Sequence, residues 1–257
     1  EREADVVVHQ LTRSPHQLNP RRLDREFAQT DRLRTEGTDT LLSAAREAGV
    51  RRVVAQSYTG WPYARVGDAL KTEEDPLDDH PPQLLRSTLD SIRYLEEAVT
   101  GISWGEGLVL RYGAFYGPGT QFALDPPGGM VEAVRRGRLP VIGGGGGVWS
   151  FIHVDDAAAA TVAAVERGAP GLYNIVDDDP SPVRAWLPGL AEALGAKPPG
   201  RVPRWVGRLL AGEATTVMMT EVRGVSNAKA KEALAWAPAY PSWREGFVRG
   251  LGAAEGP

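Results

Sequence analysis

Apolar residues along this chain fall into two alternating patterns. Short, nearly unbroken runs at Ala4–Leu11 (ADVVVHQL), Arg51–Tyr58 (RRVVAQSY) and Gly107–Gly117 (GLVLRYGAFYG) have the length and β-branched content of strands buried on both faces. Between them, apolar positions recur every three or four residues. Leu23 to Gly49 predicts a helix with GTDTLLSAAREAGV as its second half and Gly49 placed to end it. Leu84–Glu97 (LLRSTLDSIRYLEE) predicts another, running to about Val99, with Leu85, Leu89, Ile92 and Leu95 on one stripe. Thr59 to Pro82 is rich in Pro, Gly and Asp and reads as a long loop. Strands alternating with helices longer than about ten residues imply parallel βαβ units, and so an α/β, doubly wound parallel sheet.

Near Thr120 the texture changes. The pattern predicts a short helix at Gly128–Gly137, a short strand at Leu139–Ile142, and a turn through the five glycines Gly143–Gly147. WSFIHVDDAAAATVAAVERG reads as a strand entering a helix, with Asp155 or Asp156 capping its free N–H groups. GLYNIV is a further strand. SPVRAWLPGLAEALG is a helix with Pro182 near its first turn and Gly195 at its end. The expected division is a sheet domain over residues 1–120 and a small C-terminal lobe over 121–257, with no internal repeats.

Composition narrows the function. At 257 residues and 42% hydrophobic, the chain can bury a sizeable core. No run of about 18 apolar residues predicts a membrane span, and no signal peptide is visible, so a cytoplasmic protein is expected. The absence of Cys excludes disulfides and thiolate-bound metals, and four scattered His make a zinc site improbable. A net charge of −4 gives no reason to expect nucleic acid or an anionic membrane as partner. The expected partner is a small-molecule substrate, and a homodimer is compatible with all of this.

The ordered segments ADVVVHQLT, EGTDTLLSAAREAGVRRVVAQS, LRYGAFYGPGT, FIHVDDAAAA, GLYNIV and SNAKAKEALAWAPAYPSWREGF together resemble the extended short-chain dehydrogenase/reductase family, the NAD-dependent epimerase/dehydratase group. The resemblance covers nearly the whole chain. It implies a Rossmann-like fold, a nicotinamide cofactor (NAD or NADP) and a lobe that holds substrate. The chain opens at the segment matching the family's fourth strand, so the family's GxxGxxG turn, where the pyrophosphate sits on a helix N-terminus, has no counterpart in it. Gly143–Gly147 precede a strand rather than a helix and do not replace that turn. The chain as given is therefore expected to bind NAD or NADP weakly or not at all.

The family's catalytic Tyr and Lys positions fall at Thr88 and Ile92, and an expected Asn is Arg34. Such a Tyr works as a phenolate with a pKa lowered by roughly three units, about 4 kcal/mol, through nearby positive charge; neither group is in place here. An atypical subgroup of the family shows such losses. By the resemblance, the catalytic candidates are Ser57 and Tyr58, at the C-terminal end of the second long strand, where open α/β sheets place ligands. The cofactor-side candidates are Gln10, Leu11, Thr12, Ser57, Tyr112, Gly113, Ala114 and Phe115. His153 and Trp149 are the substrate-side candidates, each weighed against a packing role. Two functions stay open. One is an NAD(P)-dependent epimerase, dehydratase or reductase acting on a small hydroxylated or carbonyl compound, with a nucleotide sugar among the options. The other is a non-catalytic dinucleotide-binding sensor or assembly protein.

Overall fold

A computed structural model of the chain describes residues 4–13 and 19–252. In chain order, strand β1 (Val6–His9) leads to helix α1 (Leu23–Arg32), which continues through a π-helical turn (Leu33–Gly37) into α2 (Thr38–Glu47). Strand β2 (Arg52–Tyr58), the short β3 (Leu70–Lys71), a 3-10 turn (Gln83–Leu85) and α3 (Arg86–Thr100) follow, then β4 (Glu106–Tyr112) and β5 (Ala114–Tyr116). The rest comprises α4 (Gly129–Arg135), β6 (Val141–Ile142), β7 (Val148–Trp149), β8 (Phe151–His153), α5 (Val154–Arg167) and β9 (Gly171–Ile175). It continues with β10 (Ser181–Pro182), α6 (Val183–Ala193), β11 (Arg201–Val202), α7 (Arg204–Thr220, kinked at Gly212), β12 (Gly224–Val225), α8 (Ala228–Ala233) and α9 (Trp243–Arg249).

The central sheet has the order β1-β2-β4-β9, and all three pairings are parallel. Alternation along the strands sorts residues to two faces. Val53, Ala55 and Val109 pack with Ala45 of α2 and Leu95 and Val99 of α3. Val54, Leu108, Leu110 and Tyr112 pack with the alanines of α5. Small alanine side chains let α5 lie close to the sheet, and Arg52 ties it down by donating to the carbonyls of Ala164 and Val165 at 2.7 and 3.0 Å. Two elements beyond residue 120, α5 and β9, thus return to the sheet. A separate core of Tyr116, Phe122, Phe151, Trp186, Trp243 and Phe247 builds the C-terminal lobe.

Two patterns resolve differently from the sequence reading. The run Gly107–Gly117 is two strands. Gly113 lies so close to the carbonyl of Ser150 that a Cβ would sit 2.6 Å from that oxygen, and there the chain leaves the sheet to pair β5 with β8. The cap of α5 is neither Asp155 nor Asp156. The His153 ring accepts from the Asp155 N–H at 3.2 Å, while the Asp156 carboxylate accepts the backbone N–H groups of Ala239 and Tyr240. The glycines Gly143–Gly147 form a turn packed between α6 and α7, with Gly147 against the Met218 carbonyl.

One polar row crosses the sheet. Ser57, Arg111 and Asn174 are register partners on β2, β4 and β9. Arg111 donates to both oxygens of Glu96 on α3 at 2.7 and 2.6 Å, Ser57 donates to Glu96 at 2.7 Å, and Arg111 also donates to the Tyr63 hydroxyl, which donates to Asn174. The Arg111 and Glu96 side chains are 4% and 6% exposed. Burial alone would lower the Arg111 pKa; the hydrogen bonds and charge of Glu96 more than reverse this and hold it raised. Replacing Glu96 by Ala should cost about 3–5 kcal/mol, because it leaves a buried guanidinium uncompensated. A urea-unfolding measurement checks this, and a loss under about 1 kcal/mol would show that the pair does not carry the packing of α3.

Candidate active site

The C-terminal ends of β1, β2 and β4 lie side by side, with α1, the π-helical turn and α3 beside them and α7 of the lobe closing over. Tyr58 ends β2 and is partly buried. Its ring fits because position 60 is glycine, where a Cβ would lie 2.1 Å from the Tyr58 hydroxyl. Burial pushes the Tyr58 pKa up to about 12 against the opposing pull of Arg34. The group is therefore a neutral phenol throughout the physiological range. Around it stand Phe27 of α1, Trp61, Trp149, and Leu85, Leu89 and Ile92 from the α3 region, with Ala214 and Val217 of α7.

Ser57, the other catalytic candidate, points to the opposite face of its strand, is 1% exposed and spends its hydroxyl on Glu96. Thr88 and Ile92 also face inward. Thr88 donates to Asp31 on α1 at 3.1 Å, as does Ser91 at 3.0 Å, and Ile92 is 1% exposed. The helix surface that the resemblance aligns with the family's Tyr and Lys forms a hydrophobic and hydrogen-bonded seam between α1 and α3. Tyr94, on the same helix, is exposed and donates to Asp39 at 2.7 Å.

Of the residues read from sequence as cofactor candidates, Gln10 and Tyr112 are brought together: the Gln10 amide donates to the Tyr112 hydroxyl at 3.2 Å, and that hydroxyl also shares a 2.6 Å bond with Thr161. Leu11 and Thr12 are exposed past the end of β1, Ala114 and Phe115 keep partial exposure, and Gly113 is buried at the crossing between strands. His153 stands apart. It is 2% exposed, one ring nitrogen caps α5 and the other bonds the Gly250 carbonyl at 2.9 Å, so it has no polar atom left for a substrate. Trp149 joins the cluster around Tyr58 and donates its indole N–H to the Met218 carbonyl at 2.9 Å. Phe27 and Trp61 escaped sequence reasoning because the cluster is assembled from four distant segments.

Strand β1 pairs on one side only among the described residues, and an open, mainly apolar groove of about 770 Å³ runs between it and α2, lined by Val7, Leu11, Leu33, Leu41 and Ala45. Among the described residues no glycine-rich turn links a strand to a helix, the unit that would cradle a pyrophosphate.

The sequence model of the NAD dependent epimerase/dehydratase family matches residues 1–176. A 3-diazoavenalumate denitrifying reductase from a Streptomyces species is 46% identical over 248 residues, spanning 95% of this chain and 79% of the relative. Two solved structures share the fold. A human epimerase family protein, SDR39U1, determined with NADPH, superposes with a TM-score of 0.76 at 19% identity, covering 98% of this chain and 83% of that one. A dTDP-glucose 4,6-dehydratase from Streptomyces venezuelae, DesIV, determined with NAD, superposes at 0.72 with 22% identity, covering 96% and 72%.

The seam between α1 and α3 yields a test. Placing Lys at position 92 buries an ammonium among apolar side chains, so its folded-state pKa must fall. A depressed pKa means the unfolded chain binds the extra proton. The penalty is therefore relieved near and above about pH 10.4 and grows as the pH falls below that value. Thermal unfolding of Ile92→Lys should show a deficit against the parent that widens from pH 10 to pH 7. A deficit that does not change with pH would place position 92 in solvent.

Proposed function

Because the chain belongs to the NAD dependent epimerase/dehydratase family, we propose that it is a nicotinamide-dependent reductase whose substrate accepts hydride without a proton: an aromatic diazo compound. The observation that carries this reading is the fate of the acid–base positions. Thr88 is bound to Asp31 and Ile92 is sealed in a core, so among the described residues these two positions offer no phenol–ammonium pair to the strand ends. Reduction of a carbonyl creates an alkoxide and consumes one proton per turnover, and loss of a positioned acid typically costs about 100- to 10,000-fold. Conversion of an aryl diazonium to the arene and dinitrogen consumes one hydride and no net proton; the C–N bond breaks, its electron pair is replaced by the hydride pair, and nitrogen leaves. A chain without the acid is unsuited to the first reaction and suited to the second. The reductase named above, 46% identical over nearly all of this chain, acts in the same class. The nucleotide-sugar reading draws only on neighbours alike in fold.

The strand ends suit the nicotinamide end of the cofactor, which supplies the hydride when bound. Leu11, Ala114 and Phe115 offer apolar surface there, Gln10 and Tyr112 offer polar atoms already held in place by their mutual bond and by Thr161, and Thr12 lies at the rim. Tyr58 and Trp149 wall the substrate side and exclude water, which protects a reactive diazonium from hydrolysis. Tyr58 remains protonated and serves as a wall or neutral hydrogen-bond donor.

The full chain with millimolar NADPH or NADH and 4-carboxybenzenediazonium should give oxidised nicotinamide, dinitrogen and benzoate in equal amounts, above a control lacking protein, with no proton uptake in a pH-stat. Turnover of ketones but not of the diazonium would sink the proposal, and no hydride transfer to either would bring forward the non-catalytic reading. Tyr58→Phe should lower kcat less than tenfold, under about 1.4 kcal/mol. A loss of 100-fold or more would make Tyr58 a proton donor and contradict the proton-free scheme.

A further inference from the structure

Arg34 lies in the π-helical turn and turns inward, toward Tyr58 and α3 and away from the groove on the outer side of α2. It is partly buried, and among the described residues it makes no hydrogen bond and no ion pair. Its acidic neighbours are Asp31 and Glu96. Both are already engaged. The Asp31 oxygens receive Thr88 and Ser91, and the Glu96 oxygens receive Ser57 and the fork of Arg111. Arg34 therefore presents five N–H donors, always charged, with no protein acceptor among the described residues, and it is partly exposed, so a ligand's oxygens can replace water at them. Burial lowers its pKa, and the charges of Asp31, Glu96 and Tyr58 only partly offset this.

Tyr58 stands beside this cation and packs on the same apolar cluster as Phe27, Trp61 and Trp149, and three of these four rings keep partial exposure. We propose that Arg34 is the substrate's anchor: its guanidinium takes the carboxylate of an aromatic acid whose ring lies against Tyr58 and its aromatic neighbours. The inference rests on the reductase reading above and narrows its substrate to diazo-arenes that also bear a carboxylate. A planar guanidinium meets a carboxylate through two parallel hydrogen bonds, and an aryl ring is further stabilised by offset or edge-to-face packing on aromatic partners. A phosphate fits less well. Its second negative charge would face Asp31 with Arg34 alone to balance both, since Glu96 is already paired with Arg111.

Binding can be read without catalysis. Calorimetric titration of the full chain should show trans-cinnamate binding at least tenfold more tightly than the isosteric neutral cinnamamide. In Arg34→Gln that preference should vanish, the acid falling to the affinity of the amide, and Arg34→Lys should recover part of it. Because the unmet cation is removed, the unfolding temperature of Arg34→Gln should equal or exceed the parent's. A parent with no preference for the acid overturns the proposal, as does an Arg34→Gln protein that retains it; the first comparison needs no variant. If the Arg34-dependent preference holds while diazonium turnover fails, the anchor stands and the reductase reading falls. If turnover holds without the preference, the anchor falls alone.

Discussion

Two opposite charges, Glu96 and Arg111, are held out of water between α3 and the middle of the sheet. Removing such ions from solvent costs several kcal/mol each, and the hydrogen bonds around the pair offset part of that cost. Ser57 fills one lone pair of Glu96, Tyr63 accepts the spare Arg111 N–H, and Asn174 accepts from Tyr63. The consequence is geometric. Three strands, one helix and the loop bearing Tyr63 are locked in one register by this row, in which, among the described residues, the Asn174 side-chain nitrogen alone finds no partner, and a helix so fixed cannot rotate to bring Thr88 or Ile92 outward. The seam with α1 and the aromatic cluster are both set from this point.

That rigidity bears on chemistry. The serine that might have served at the end of β2 is consumed by the structural row, and the helix that might have carried an acid is consumed by packing. What faces the strand ends is apolar, aromatic and cationic: Tyr58, Trp61, Phe27 and Arg34. Such a surface can orient an electron-poor ring, exclude water and bind an anion, and it has little capacity to deliver protons. Hydride transfer to a group that departs as a gas makes that no handicap, because no anion builds up that must be neutralised.

The sheet was legible because its strands are uninterrupted apolar runs such as VVV at 6–8 and LVL at 108–110, which have few other uses; full burial on both faces holds for LVL, whereas β1 lies at the edge and leaves Val8 exposed. The long helices were legible from their stripes. The break at Gly113 was not, because a crossing from one sheet to another depends on the distant Ser150 carbonyl. The two-residue strands of the lobe lie below the length at which periodicity exists. His153 as a cap was missed because Asp155 and Asp156, the residue types that usually cap, stand beside it; what decided the matter was that Asp156 had better partners at Ala239 and Tyr240. Arg111 inside an apolar run was the visible trace of the buried pair. Arg34 was visible as a substitution, while its lack of a partner could be seen only once Asp31 and Glu96 were found to be taken.

The π-helical turn at Leu33–Gly37 joins two helices that face different things. α1 turns Leu23, Phe27 and Asp31 toward the aromatic cluster and α3, and α2 turns Leu41, Leu42 and Ala45 toward the sheet. A π turn holds one residue more than the α-helical path it replaces, so the phase of one half is set independently of the other. Removing a single residue there would restore a plain α-helix and rotate one half by about 100° relative to the other. The helix pair thus contains a one-residue adjustment by which insertion or deletion, rather than substitution, could exchange the side chain presented to the ligand while the β-sheet beneath stays unchanged.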